Sequence, residues 1–124
     1  MSAFKDKVIQ IVKMIPEAKV VSYGQVALMA GVPRGARQVG WILHEHGDDG
    51  PWWRVINNSG RISIKSPDHS PIVQKEKLEA DGVSVSENLE IDIEKYRWRP
   101  AQETLDELKL PDEYIFKIME KYQI

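Results

Sequence analysis

The chain has 124 residues, no cysteine and a formal net charge of −2. That length suits one domain with a real core, and the lack of cysteine excludes disulfides, thiolate metal sites and any thiol nucleophile. No apolar run approaches the roughly 18–20 residues needed to span a bilayer, and the N-terminus carries no signal-peptide hydrophobic stretch, so the expected setting is the cytoplasm, without a membrane partner. The charge is unevenly spread: residues 1–75 carry 10 Lys and Arg against 6 Asp and Glu, and residues 76–124 carry 7 against 13. A basic front and an acidic back fit a protein that meets nucleic acid with one face, although chance alone can produce such an asymmetry.

In chain order, Phe4, Val8, Ile11, Val12 and Ile15 recur at helical spacing, and Pro16 stops the run, which predicts a helix over 3–15. Ser22-Tyr23-Gly24-Gln25 reads as a capping box opening a second helix through Val26 to Ala30. Gly31 breaks that helix, Val32-Pro33 turns the chain, and a further helix is expected from Arg34 to His44. Helix, glycine turn, helix is the helix-turn-helix unit; a plain helical hairpin in a core has the same pattern. Trp53–Ile56 and Arg61–Ile64 are expected to pair across Asn57-Asn58-Ser59-Gly60 as a hairpin, like the wing of a winged helix. Pro71 opens a helix to Asp81, capped by Gly82. Residues 83–100 read as irregular with a strand near Leu89–Ile93, and Pro111 opens a last amphipathic helix with Ile115, Ile118, Met119 and Tyr122 on one side.

Three segments in order carry a resemblance: Val21-Ser22-Tyr23-Gly24-Gln25-Val26-Ala27, Gly35-Ala36-Arg37-Gln38-Val39-Gly40 and Pro51-Trp52-Trp53-Arg54-Val55-Ile56. They resemble the SYGxxA, ARxVG and PCHRV motifs of the O6-alkylguanine-DNA alkyltransferases, and the similarity runs over residues 4 to 83. Tryptophan at the cysteine position, Trp52, marks the alkyltransferase-like proteins of that family, as does Gly60-Arg61-Ile62-Ser63-Ile64-Lys65. Trp53 departs from the histidine that many members keep. The resemblance implies a mainly α fold with a small β-hairpin, winged helix-turn-helix-like, as in the alkyltransferase C-terminal domain. It implies a DNA-binding domain over residues 1–86, with residues 87–124 as an extension packed on it.

Alkyl transfer to protein needs a thiolate activated through a base. Trp52 offers only an indole N–H, and Trp53 removes the base as well. Asp81 stands near the place of the family's supporting glutamate. The expectation is a protein that binds O6-alkylguanine in duplex DNA without repairing it, needs no cofactor, works as a monomer and flags the lesion to nucleotide excision repair proteins. By resemblance, Arg37 fills the gap left by the flipped base and Tyr23 crowds the phosphate there. Trp52 and Val55 line the alkyl pocket, Ser66 offers a backbone donor, and Ser22, Arg34 and Gln38 belong to the same DNA face. Read as residues alone, Arg37 is a solvated helix-face arginine, Tyr23 a packing residue and Trp52 a core residue. Trp53 stands open between core and pocket, Arg54 is expected to hold its loop by bonding carbonyls, and Trp41 is expected in the core. His44-Glu45-His46 is too small a set for a zinc site without further ligands. The alternative from another class is a winged helix-turn-helix transcription regulator that reads one DNA sequence and ignores alkylation.

Overall fold

The computed structural model of the protein describes residues 3–46, 50–63 and 70–123. Helix α1 (Ala3–Met14) leads into a short strand, β1 (Val21–Ser22), followed by α2 (Tyr23–Met29) and α3 (Ala36–His46). A single 3-10 turn (Trp52–Arg54) precedes β2 (Val55–Ile56), and α4 (Pro71–Ala80), α5 (Ile93–Tyr96), α6 (Gln102–Glu107) and α7 (Asp112–Tyr122) complete the chain. The fold is mainly helical around a small sheet. Among the described residues no helix is long and apolar enough to cross a membrane.

The helix boundaries follow from local chemistry. α1 buries Val8, Ile11 and Val12 on one stripe, the faces that 3.6-residue spacing brings together. α2 ends in a Schellman motif: the N–H of Val32 bonds the Ala27 carbonyl and that of Gly31 bonds the Leu28 carbonyl, with Gly31 at φ +86°, the left-handed cap that glycine adopts without penalty. α4 is capped at its start by Ser70, whose side chain accepts from the Val73 N–H, with Pro71 in the first turn.

The pairing of the strands differs from the expected hairpin. β2 runs parallel to β1, with Val21 opposite Val55 and Ser22 opposite Ile56; α2 and α3 form the crossover that a parallel pair requires. Val55 and Ile56 are both buried, as befits a strand covered on both faces rather than an alternating wing strand. The 57–60 turn does form, but Asn57 Oδ1 takes the Arg61 N–H at 2.9 Å and the Ser59 N–H at 3.1 Å, and Arg61 pairs as a single antiparallel bridge with Glu90. The expected strand near Leu89–Ile93 amounts to that bridge, after which Asp92 caps α5.

The C-terminal segment adds to the same framework. Val20 bridges to Arg97 beside β1, Trp98, Leu105, Leu108, Ile115, Ile118 and Tyr122 join α1–α3 in one apolar cluster, and α7 lies against α2. A second cluster of Val20, Ile56, Ile62, Leu78, Val83 and Ile91 lies under α4. Gly60, at φ +83°, comes so close to this segment that a Cβ there would meet the Ile91 carbonyl oxygen at 2.5 Å.

Candidate nucleic-acid interface

Ser22 sits in extended backbone, and its hydroxyl accepts the Gln25 N–H at 3.1 Å, starting α2. The other half of the expected capping box is not made. The Gln25 side chain is buried and turned to the C-terminal segment, donating to the Trp98 carbonyl at 2.9 Å and accepting from Arg97 at 2.8 Å. Ser22 is itself buried, so it sets the start of the helix from inside rather than from the surface. Tyr23 follows as the first helical residue, half-buried; burial pushes its phenol above the ordinary value, so it remains a protonated donor at neutral pH.

α3 turns Val39 and Leu43 inward. The opposite stripe, Arg37, Gly40, Trp41 and His44, follows the i, i+3, i+4, i+7 spacing of one helix face. These four residues and Ala36 form one wall of a cleft of about 690 Å³, closed on the other side by Tyr23, Asn57, Asn58 and Ser63. The expected core position for Trp41 is corrected: it is 62% exposed and meets His44 edge-on at 6.1 Å between ring centroids. The physical reason is helix phase, since Trp41 lies one turn after exposed Arg37 and out of phase with Val39 and Leu43.

The Pro51-Trp52-Trp53-Arg54 segment is closed by contrast. Trp52 is 5% exposed and stands edge-on to Trp53 at 6.1 Å. The Trp53 indole N–H donates to Asp81 Oδ2 at 3.0 Å, and Lys77 Nζ lies 4.8 Å over its ring. Arg54 holds the same carboxylate through two bonds of 2.7 and 3.1 Å and donates to the Ile15 carbonyl at 2.9 Å, the carbonyl-holding role expected of it. Burial pushes the Asp81 carboxyl up, but the hydrogen bonds from Arg54 and Trp53, with the charges of Arg54 and Lys77, outweigh it and leave the group below its ordinary value. Gln74, buried in α4, donates to the carbonyls of both Trp53 and Val55 at 3.0 Å.

The sequence-derived site residues therefore fall into three places. Tyr23 and Arg37 meet in the cleft. Arg34 and Gln38 are exposed around the start of α3. Trp52, Val55 and Ser22 are buried. Ser66 lies outside the described residues. Sequence reasoning missed Trp41, Gly40, Asn57, Asn58 and Ser63 as cleft residues and Gln74 as a loop anchor. The helical phase of α3 was the available signal for Trp41 and Gly40; the others depend on contacts between distant segments. Among the described residues no group of three His, Asp or Glu is placed to hold a metal ion.

Residues 3–83 match the family described as the DNA-binding domain of 6-O-methylguanine DNA methyltransferase. A DNA base-flipping protein of Escherichia coli is 47% identical over 98 residues, covering 77% of this chain and 74% of that one, and one of Vibrio parahaemolyticus is 44% identical over 102 residues, covering 81% and 100%. The fold is similar to that of Schizosaccharomyces pombe Atl1 in complex with damaged DNA containing O6-carboxymethylguanine, with a TM-score of 0.73, 36% identity, and coverage of 81% of this chain and 98% of that one. The chain belongs to the family of the 6-O-methylguanine DNA methyltransferase DNA-binding domain, as one of its alkyltransferase-like members.

Proposed function

We infer that this protein is a non-enzymatic sensor that binds O6-alkylguanine in duplex DNA, rotates the base out of the stack and leaves the alkyl group in place. The observation that carries this reading is the Trp52-Trp53 pair where the alkyltransferases have cysteine and histidine. An indole has no usable nucleophilic lone pair, and the Trp53 N–H is committed to Asp81. A carboxylate that in the enzymes supports a base here supports a donor that cannot accept a proton.

The remaining roles follow from the family and the cleft. α3 docks in the minor groove, with Arg37 in the gap left by the flipped base, where a planar guanidinium can stack and donate hydrogen bonds. Tyr23, held protonated, acts at the adjacent phosphate. A damaged, poorly paired base is cheaper to extrude, which supplies part of the selectivity. The family likeness also assigns Trp52 and Val55 to the alkyl pocket, although both are buried in the unbound protein and stand outside the Tyr23–Arg37 cleft, and it assigns a backbone donor to Ser66. In this reading the protein works as a monomer in the cytoplasm, and its bent, unreacted complex is handed to nucleotide excision repair proteins.

The test is a titration of two short duplexes that differ only by one O6-methylguanine, at fixed salt because phosphate contacts make affinity salt-dependent. The expected result is clear preference for the alkylated duplex, with the methyl group still on the DNA afterwards. Equal affinity for both would return the chain to a general DNA-binding or regulatory role, and methyl on the protein would make it an enzyme.

A further inference from the structure

Trp41 is the large apolar side chain that the cleft leaves in water. It is 62% exposed, and it is one turn from Arg37 on the same face, where residues four apart are neighbours. Apart from Ala36 and Gly40, the rest of the cleft is lined by residues that carry polar groups: Arg37, Tyr23, His44, Asn57, Asn58 and Ser63. An exposed indole one helical turn from a guanidinium matches the surfaces on which nucleic acids rest, where aromatic rings sit in a positively charged groove.

Gly40 sharpens this. It lies in the interior of α3 on the cleft wall, and a Cβ built there would meet nothing within 4 Å. Glycine in a helix interior is destabilising relative to alanine, and no neighbour within the protein requires its absence of side chain. A backbone left bare beside an exposed indole is suited to close approach by a ligand from outside.

We propose that Trp41 is a DNA-contacting residue that lays its indole against the sugars and base edges of the minor groove one turn along α3 from Arg37, with Gly40 letting the duplex backbone come close. The inference rests on the DNA-binding reading above. Because every base and sugar offers an apolar surface, the contact is blind to the alkyl group. Trp41 sets how tightly the protein holds any duplex, and Arg37 with the pocket sets the preference for the lesion.

The experiment titrates the full chain and its Trp41→Ala and Trp41→Phe variants against unmodified duplex and the duplex with one O6-methylguanine. Removing an exposed side chain leaves the core intact, and circular dichroism checks that. The expected result is a loss on the order of ten-fold for Trp41→Ala on both duplexes, an unchanged ratio between them, and recovery of most of the affinity in Trp41→Phe. Unchanged affinity of folded Trp41→Ala for both duplexes overturns the proposal and leaves the ring to a protein partner. A loss confined to the alkylated duplex also overturns it, because Trp41 would then serve lesion recognition. If the parent chain shows no lesion preference yet Trp41→Ala still loses affinity on both duplexes, the contact stands and the sensor reading falls.

Discussion

Two regions in successive motifs of the family are built in opposite ways. The segment Pro51–Ile56, where the alkyltransferases keep their reactive group, is sealed: Trp52 is buried, Trp53 and Arg54 share the Asp81 carboxylate, and Gln74 ties two of the segment's carbonyls to α4. The outer face of α3 is left open, with Arg37 and Trp41 in solvent and a bare backbone at Gly40. The Pro51–Ile56 segment is a structural joint, whereas the α3 face carries a cost in helix propensity at Gly40 and in exposed apolar area at Trp41. The sensor reading predicts that the joint contributes stability and the face contributes affinity.

The strongest way to break the comparison is Arg54→Met, which leaves the partly buried Asp81 with its main cation removed. Removing a doubly hydrogen-bonded cation from a partly buried carboxylate costs about 3 kcal/mol, so urea unfolding should show the largest loss here. Lesion affinity per folded molecule should hardly change; a large loss of affinity in a still-folded variant would place the joint in the binding machinery. Gly60→Ala comes next. It forces a Cβ into the Ile91 carbonyl at a left-handed backbone position, and strain of this kind costs roughly 1–3 kcal/mol. Its unfolding midpoint should fall without any change in the ratio of affinities for alkylated and unmodified duplex.

Arg37→Ala reverses the pattern. Exposed and outside the core, it should leave thermal stability within about 0.5 kcal/mol of the parent while removing roughly 1–3 kcal/mol of binding free energy to the alkylated duplex. Unchanged lesion affinity would end its assignment as the residue that fills the gap. The smallest effect is the pH dependence of the joint. The Asp81 carboxyl titrates lower in the folded protein than in the unfolded chain, so its contribution is fully present above the unfolded value, about 3.9, and is lost as pH falls through the lower folded value. Urea midpoints between pH 6 and pH 3 should therefore fall more steeply in the parent than in Asp81→Asn; parallel curves would show that Asp81 contributes no acid-sensitive stability.

Much of this could be read from residue order. Helical spacing located α1 and α7, the serine at position 22 and the glycines at 31 and 82 marked helix ends, and three short motifs named the family. These are local properties: a cap, a left-handed turn or an amphipathic stripe depends on residues within a turn or two of each other. The same reasoning paired residues 53–56 with 61–64, because the intervening turn residues favour a hairpin, yet the stronger partner for two fully buried residues was β1, distant in sequence and adjacent in space.

The sequence by itself determined the absence of cysteine, helices α1 to α4 and α7, and the basic cast of the first 75 residues, since these need only residue identity and near neighbours. Tertiary structure alone decided that Gln25 would turn away from its cap to bind Arg97 and Trp98, that the Trp53 N–H would take up Asp81 28 residues further on, and that Trp41 would stand in the cleft with Tyr23, Asn57 and Asn58. Each of these joins segments separated by many residues, and which polar group finds which partner depends on how the whole core closes, because a buried donor or acceptor must be satisfied wherever packing places it.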